Sequence, residues 1–102
     1  MKATKKYEVN QMKVTVVKAS WCPHCEEADR ILSDLQVRDK YRDIPVEVID
    51  EEKSPQEAAK YKYDKIPNFW VNNEMIFEGE PTEDLVKKAL ETAMRPKGSG
   101  GL

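Results

Sequence analysis

Cys22 and Cys25 flank Pro23 and His24 in the segment SWCPHCEEA; they are the only two cysteines of the chain, and His24 is its only histidine. Sulfur atoms at that spacing can exchange thiol for disulfide, or ligate a metal or cluster. They can also do nothing, because free cysteine is among the residue types most often buried. On a helix the spacing puts both sulfurs on one face. Neighbours one turn apart fall within the Cα separation of roughly 4.4–6.8 Å that a disulfide needs. Such a pair opens and closes with little backbone movement.

A helix starting at the motif places Cys22 at or beside the N-cap and Pro23 at the first helical position, where its missing donor costs nothing. Unpaired backbone N–H groups and the positive end of the helix then favour thiolate on Cys22, which is expected to attack. Cys25, one turn deeper, is expected to hold its proton more tightly and to resolve the mixed disulfide. Position argues for this redox reading, since the pair lies where a strand ends and a helix begins, with its side chains presented to solvent. As imidazolium, His24 would stabilise the Cys22 thiolate and make the pair more oxidising; as a screened surface residue it would have no electronic role. Trp21 either covers the core edge or belongs to an apolar rim that docks a substrate.

A structural zinc site wants four Cys or His ligands, and the chain offers three, with His24 wedged between the sulfurs. No metal site is expected within one chain. An iron–sulfur cluster shared between two chains and completed by an outside thiol stays open as an alternative.

The elements that must position these residues fit one domain, since 102 residues at 39% apolar content leave no room for a second core. Charged residues make up 35% of the chain with both signs mixed, and the net charge of -2 gives no field that would steer it to nucleic acid or an anionic membrane. The basic start MKATKK precedes no apolar export core, and no run approaches the ~20 apolar residues of a membrane span. With one close cysteine pair in place of several widely spaced ones, the expectation is a soluble, cytoplasmic monomer whose cysteines serve chemistry.

Residues 1–11 are expected to be an N-terminal extension, 12–94 the domain, and 95–102 a flexible tail. Met12 to Lys18 reads as a central strand, with Met12, Val14 and Val16 on one face and Thr15 and Val17 on the other. Ala28, Ile31, Leu32 and Leu35 form the buried stripe of the helix that opens at the motif. Val46, Val48 and Ile49 make a second strand, closed by Asp50, Glu51 and Glu52 as a solvated end. Ser54 can cap a short helix led by Pro55, fading near Tyr63. Phe69 to Val71 and Met75 to Phe77 pair as a hairpin about Asn72-Asn73, with Trp70 expected in the core and Gly79 ending the second strand. Leu85, Val86, Ala89, Leu90 and Ala93 mark a last helix entered through Pro81-Thr82. The order is βαβαββα, an α/β fold whose first unit needs a parallel crossover.

Over roughly Val14 to Ala93 the chain resembles the thioredoxin/glutaredoxin superfamily. VVKASWCPHC is similar to the thioredoxin strand and active-site segment, with Ala three before and Trp immediately before the first cysteine. IDEEKSPQEAAKYKYDKIP matches a second run through Pro55, Ala58, Tyr61, Ile66 and Pro67. The resemblance implies the thioredoxin fold, with a mixed four-stranded sheet flanked by helices. It also implies a cis-proline at Pro67 facing the cysteines, and backbone groups at Ile66 offered to an extended substrate segment, so that Trp21, Ile66 and Pro67 would bind substrate. The implied activity is reduction of protein disulfides without a bound cofactor, the Cys22–Cys25 dithiol being restored by an external reductant, either a flavin-dependent thioredoxin reductase-like enzyme or glutathione. A glutathione-dependent glutaredoxin and a non-enzymatic binding module are the alternatives.

Three departures stand out. Val16 takes the place of a buried Asp that, in thioredoxins, helps deprotonate the resolving thiol. The usual N-terminal strand and helix cannot fit into Met1 to Gln11, which leaves a smaller, glutaredoxin-like frame. Lys65-Ile66-Pro67 and Gly79-Glu80 replace the Thr-Val-Pro and Gly-Gly of glutathione-binding glutaredoxins, which weakens glutathione binding and tips the expected donor toward the flavin enzyme. The Pro-His dipeptide resembles that of the periplasmic DsbA oxidants, but the chain lacks the length for their inserted helical domain.

Overall fold

The computed structural model describes residues 12–94, so the expected N-terminal extension and tail lie outside the described residues. Seven elements follow in order: β1 (Val14–Lys18), α1 (Pro23–Gln36), β2 (Val46–Asp50), α2 (Pro55–Ala58), β3 (Asn68–Val71), β4 (Glu74–Glu78) and α3 (Glu83–Met94). The sheet order is β2-β1-β3-β4. β1 pairs parallel with β2 from Val14↔Val46 to Lys18↔Asp50, and antiparallel with β3 from Val14↔Val71 to Val17↔Asn68. β3 and β4 form the hairpin, with an irregularity between Phe69 and Trp70. This is the expected βαβαββα fold with its mixed four-stranded sheet.

The alternation of β1 sorts the two sides of the sheet. Val14 and Val16 join Ala28, Leu32 and Leu35 of α1 and Val86, Ala89 and Leu90 of α3 in the larger core, where Phe69 and Phe77 stack at 4.7 Å between centroids. Val17 points the other way, to Ile49 and Ala58 under α2, with Tyr61 and Tyr63 against them. β1, in the interior of the sheet, is buried along nearly its whole length, whereas the edge strand β2 leaves Val48 exposed. Because β1 is covered on both faces, its C-terminal end is a fixed platform for whatever follows it.

Several boundaries differ from expectation. β1 starts at Val14, because the Met12 N–H bonds to the Ala93 carbonyl at 2.9 Å instead of extending the sheet. α2 ends at Ala58, well before Tyr63, and Ser54 makes no side-chain capping bond. The turn before it is fixed by Asp50, whose Oδ1 accepts from the backbone N–H of Glu52 at 2.9 Å and of Lys53 at 3.2 Å. Glu51 accepts from the Tyr63 hydroxyl at 2.7 Å, so the acidic strand end is a bonded corner and not merely a solvated one. At the hairpin, Asn72 takes a φ of 57°, which Asn tolerates better than most residues. Thr82 Oγ1 accepts from the Leu85 N–H at 3.1 Å and so caps α3.

Candidate active site

β1 ends at Lys18, and three residues of turn carry the chain to Cys22, the N-cap of α1. Cys22 is extended (φ -91°, ψ 117°), as an N-cap must be, and Pro23 follows at the head of the helix. The Cys22 sulfur does what a Ser or Asp oxygen does at other N-caps, accepting from the Cys25 N–H at 3.2 Å. An orphan N–H of the first turn is thereby aimed at sulfur, an arrangement that stabilises negative charge there. The Cys22 carbonyl takes the N–H groups of Cys25 (3.1 Å) and Glu26 (3.2 Å), which fixes the first turn.

Both cysteines are free thiols. Neither is presented to solvent as expected: Cys22 is 4% and Cys25 2% exposed. The reason lies in the segment before β3. The Ile66–Pro67 peptide is cis, Pro67 is fully buried, and the Ile66 carbonyl stands 3.9 Å from the Cys22 sulfur, within reach of a weak S–H donor. Burial pushes the Cys25 thiol up from 9.0 to about 12, with the neighbouring Cys22 adding to the rise. The Ala19 backbone N–H and the charge on Lys18 pull in the opposite direction. Cys25 is therefore a protonated thiol at neutral pH.

The other residues named from the sequence divide by exposure. Trp21 is 64% exposed, so it does not cover the core edge and instead stands as an apolar projection beside Cys22. His24 is exposed, Ile66 is half-buried, and Pro67, expected on a docking surface, lies inside it. Trp21 and His24 thus reach solvent beside Cys22, and Pro67 does not. Trp70 is in the core, tilted against Tyr61 at 5.1 Å between ring centroids.

Two residues that sequence reading passed over hold the backbone of Asp64 and Lys65, just before Ile66. Asn68, fully buried, donates from Nδ2 to the Lys65 carbonyl at 3.0 Å and accepts from Trp70 Nε1 at 2.6 Å. Glu78 Oε1 accepts the N–H groups of Asp64 (2.9 Å) and Lys65 (3.2 Å). Gly79, at φ +93°, donates to the Pro67 carbonyl at 2.8 Å, and a Cβ there would stand 3.3 Å from the Lys65 side chain. An Asn at the head of an apolar strand was the available signal for the first of these; nothing local marks Glu78. Among the described residues, no group of three or more His, Cys, Asp or Glu side chains could hold a metal ion.

The sequence model of a family described as "Thioredoxin domain" matches residues 12–91. A curated relative, the thioredoxin of Methanocaldococcus jannaschii, is 27% identical over 84 residues, covering 81% of this chain and 96% of its own. A mutant thioredoxin from Halobacterium salinarum superposes with a TM-score of 0.65 at 20% identity, over 89% of this chain and 81% of that one. Fasciola hepatica thioredoxin gives 0.66 at 18% identity over 89% of each chain. At those identities the structures speak for the fold alone.

Proposed function

The chain belongs to the thioredoxin family, and from that premise we propose that it is a thiol–disulfide oxidoreductase that reduces protein disulfides by dithiol exchange. The observation that carries this reading is the Cys22 sulfur at the N-cap of α1, accepting the Cys25 N–H at 3.2 Å. The same N–H that organises the helix start also stabilises the attacking thiolate.

The Cys22 thiolate attacks one sulfur of the substrate disulfide, the second substrate sulfur leaves with the bonding electrons, and a mixed disulfide forms. Cys25 then attacks Cys22, releases the remaining substrate sulfur and closes the Cys22–Cys25 disulfide. The spacing of one helical turn lets the ring close without unwinding α1. A partner segment approaching Cys22 meets the Ile66 backbone and the Trp21 indole, which supply orientation and apolar contact. Exposed His24 adds positive charge beside the attacking sulfur when protonated and so favours the reduced form, while Pro23 fixes the helix start. The exchange is suited to a reducing cytoplasm, with the protein acting as a monomer. It needs no bound cofactor, and the dithiol is regenerated by a thioredoxin reductase-like flavin enzyme in preference to glutathione.

Reduction of insulin disulfides with dithiothreitol as terminal reductant tests the reading. Turnover by wild type that is lost in Cys22→Ser is expected. No turnover by wild type, or turnover that survives Cys22→Ser, would sink it.

A further inference from the structure

Cys25 is buried and protonated, and in the resolving step it still has to ionise. The side of β1 that carries Val16 holds one charge. Even-numbered residues of β1 face α1 and α3: Val14 and Val16 lie in that core, and Lys18 continues the row. One strand step of two residues, about 6.6 Å, separates position 16 from position 18 and brings the charge toward the motif. Lys18 is only 25% exposed at its side chain, and its Nζ stands 3.5 Å from Oδ2 of Asp29 on α1. Asp29 is four residues beyond Cys25, so the two are neighbours along one helix face. The Lys18–Asp29 bridge thus crosses from the end of β1 to α1 one turn from Cys25, and the Lys18 charge acts on the Cys25 thiol.

We propose that Lys18, anchored by Asp29, is a positioning cation that promotes ionisation of Cys25 in the resolving step. The proposal rests on the dithiol-exchange reading above. In the mixed disulfide, Cys25 gives its proton to water and its thiolate attacks the Cys22 sulfur. The Cys22–substrate S–S bond breaks, the Cys22–Cys25 bond forms, and the departing substrate thiolate takes the electron pair and regains a proton from water. No outside oxidant or reductant is consumed in that step. A cation near Cys25 lowers the cost of the transient thiolate.

Dithiobis-nitrobenzoate separates the two halves of the exchange. Attack by Cys22 releases one coloured thiolate, and resolution by Cys25 releases a second. In single-turnover mixing, Lys18→Met is expected to leave the first release within about twofold of wild type and to slow the second about tenfold, the change in thiolate fraction that one pKa unit produces. Lys18→Arg, which keeps the charge, is expected to restore the second release to within about threefold. A second release as fast as wild type in Lys18→Met overturns the proposal. So does equal slowing of both phases, which would mark a structural role or an action on Cys22, and so does a Lys18→Arg protein as slow as Lys18→Met. Wild-type protein with a first release and no second would instead defeat the dithiol reading itself.

Discussion

The Cys22 sulfur lies 3.9 Å from the Ile66 carbonyl oxygen, although 44 residues separate them in the chain. The contact joins the start of α1 to the segment leading into β3, and it exists because β1 and β3 are paired neighbours in the sheet. On the proposed dithiol-exchange reading, a substrate disulfide approaches Cys22 past this carbonyl. With Cys25 replaced by Ser, attack proceeds and resolution cannot, so Cys25→Ser is expected to accumulate a mixed disulfide through Cys22. Intact mass spectrometry after mixing with a disulfide-containing protein reads the adduct, and thiol treatment should release it.

The backbone just before Ile66 is held by Asn68, whose side chain bonds the Lys65 carbonyl and the Trp70 indole N–H inside the core. Asn68→Ala leaves the Lys65 carbonyl and the Trp70 N–H without that partner, at about 1–3 kcal/mol for an unsatisfied buried group. Urea denaturation is expected to show a loss of about 2 kcal/mol or more. A stability unchanged from wild type would mean that water or the backbone replaces the amide.

Protonated Cys25 also couples stability to pH. Its thiol goes from 9.0 to about 12 on burial, so the folded state favours the neutral form. The contribution is full below the unfolded value and is lost as pH rises from 9.0 toward about 12. Reduced wild type is therefore expected to lose stability faster than reduced Cys25→Ala across that window, with a difference in slope approaching ~1.4 kcal/mol per pH unit, one proton's worth. Tyr63 is raised to about 12 by burial and its bond to Glu51, and it titrates in both proteins, so the comparison isolates Cys25. Parallel slopes in denaturation series would contradict the assignment.

Trp21, at 64% exposure, contributes little to the core. Trp21→Ala is expected to change stability by no more than ~0.5 kcal/mol, the usual range for a surface substitution. It should nevertheless raise KM for a protein disulfide by roughly tenfold, since an exposed Trp beside a reactive group is a natural anchor for a partner. Reduction of a small aliphatic disulfide, which brings no protein surface for Trp21 to anchor, should keep its rate.

Local pattern carried much of this protein. The spacing of Ala28, Ile31, Leu32 and Leu35 identifies α1, and the Cys-Pro pair at its head identifies the N-cap, because capping and period are properties of a few consecutive residues. Alternation along β1 assigned Val14 and Val16 to one side and Val17 to the other. By itself the sequence determined the order of elements, the close cysteine pair, and which of the two sulfurs sits at the helix end. Tertiary structure decided the burial of both thiols, the inward placement of Pro67 and the bracing by Asn68 and Glu78. It also decided the Lys18–Asp29 bridge between the end of β1 and α1. Each of these depends on which strands become neighbours and on how a helix crosses them, and such distances between remote residues are set by the packed sheet, where no periodicity records them.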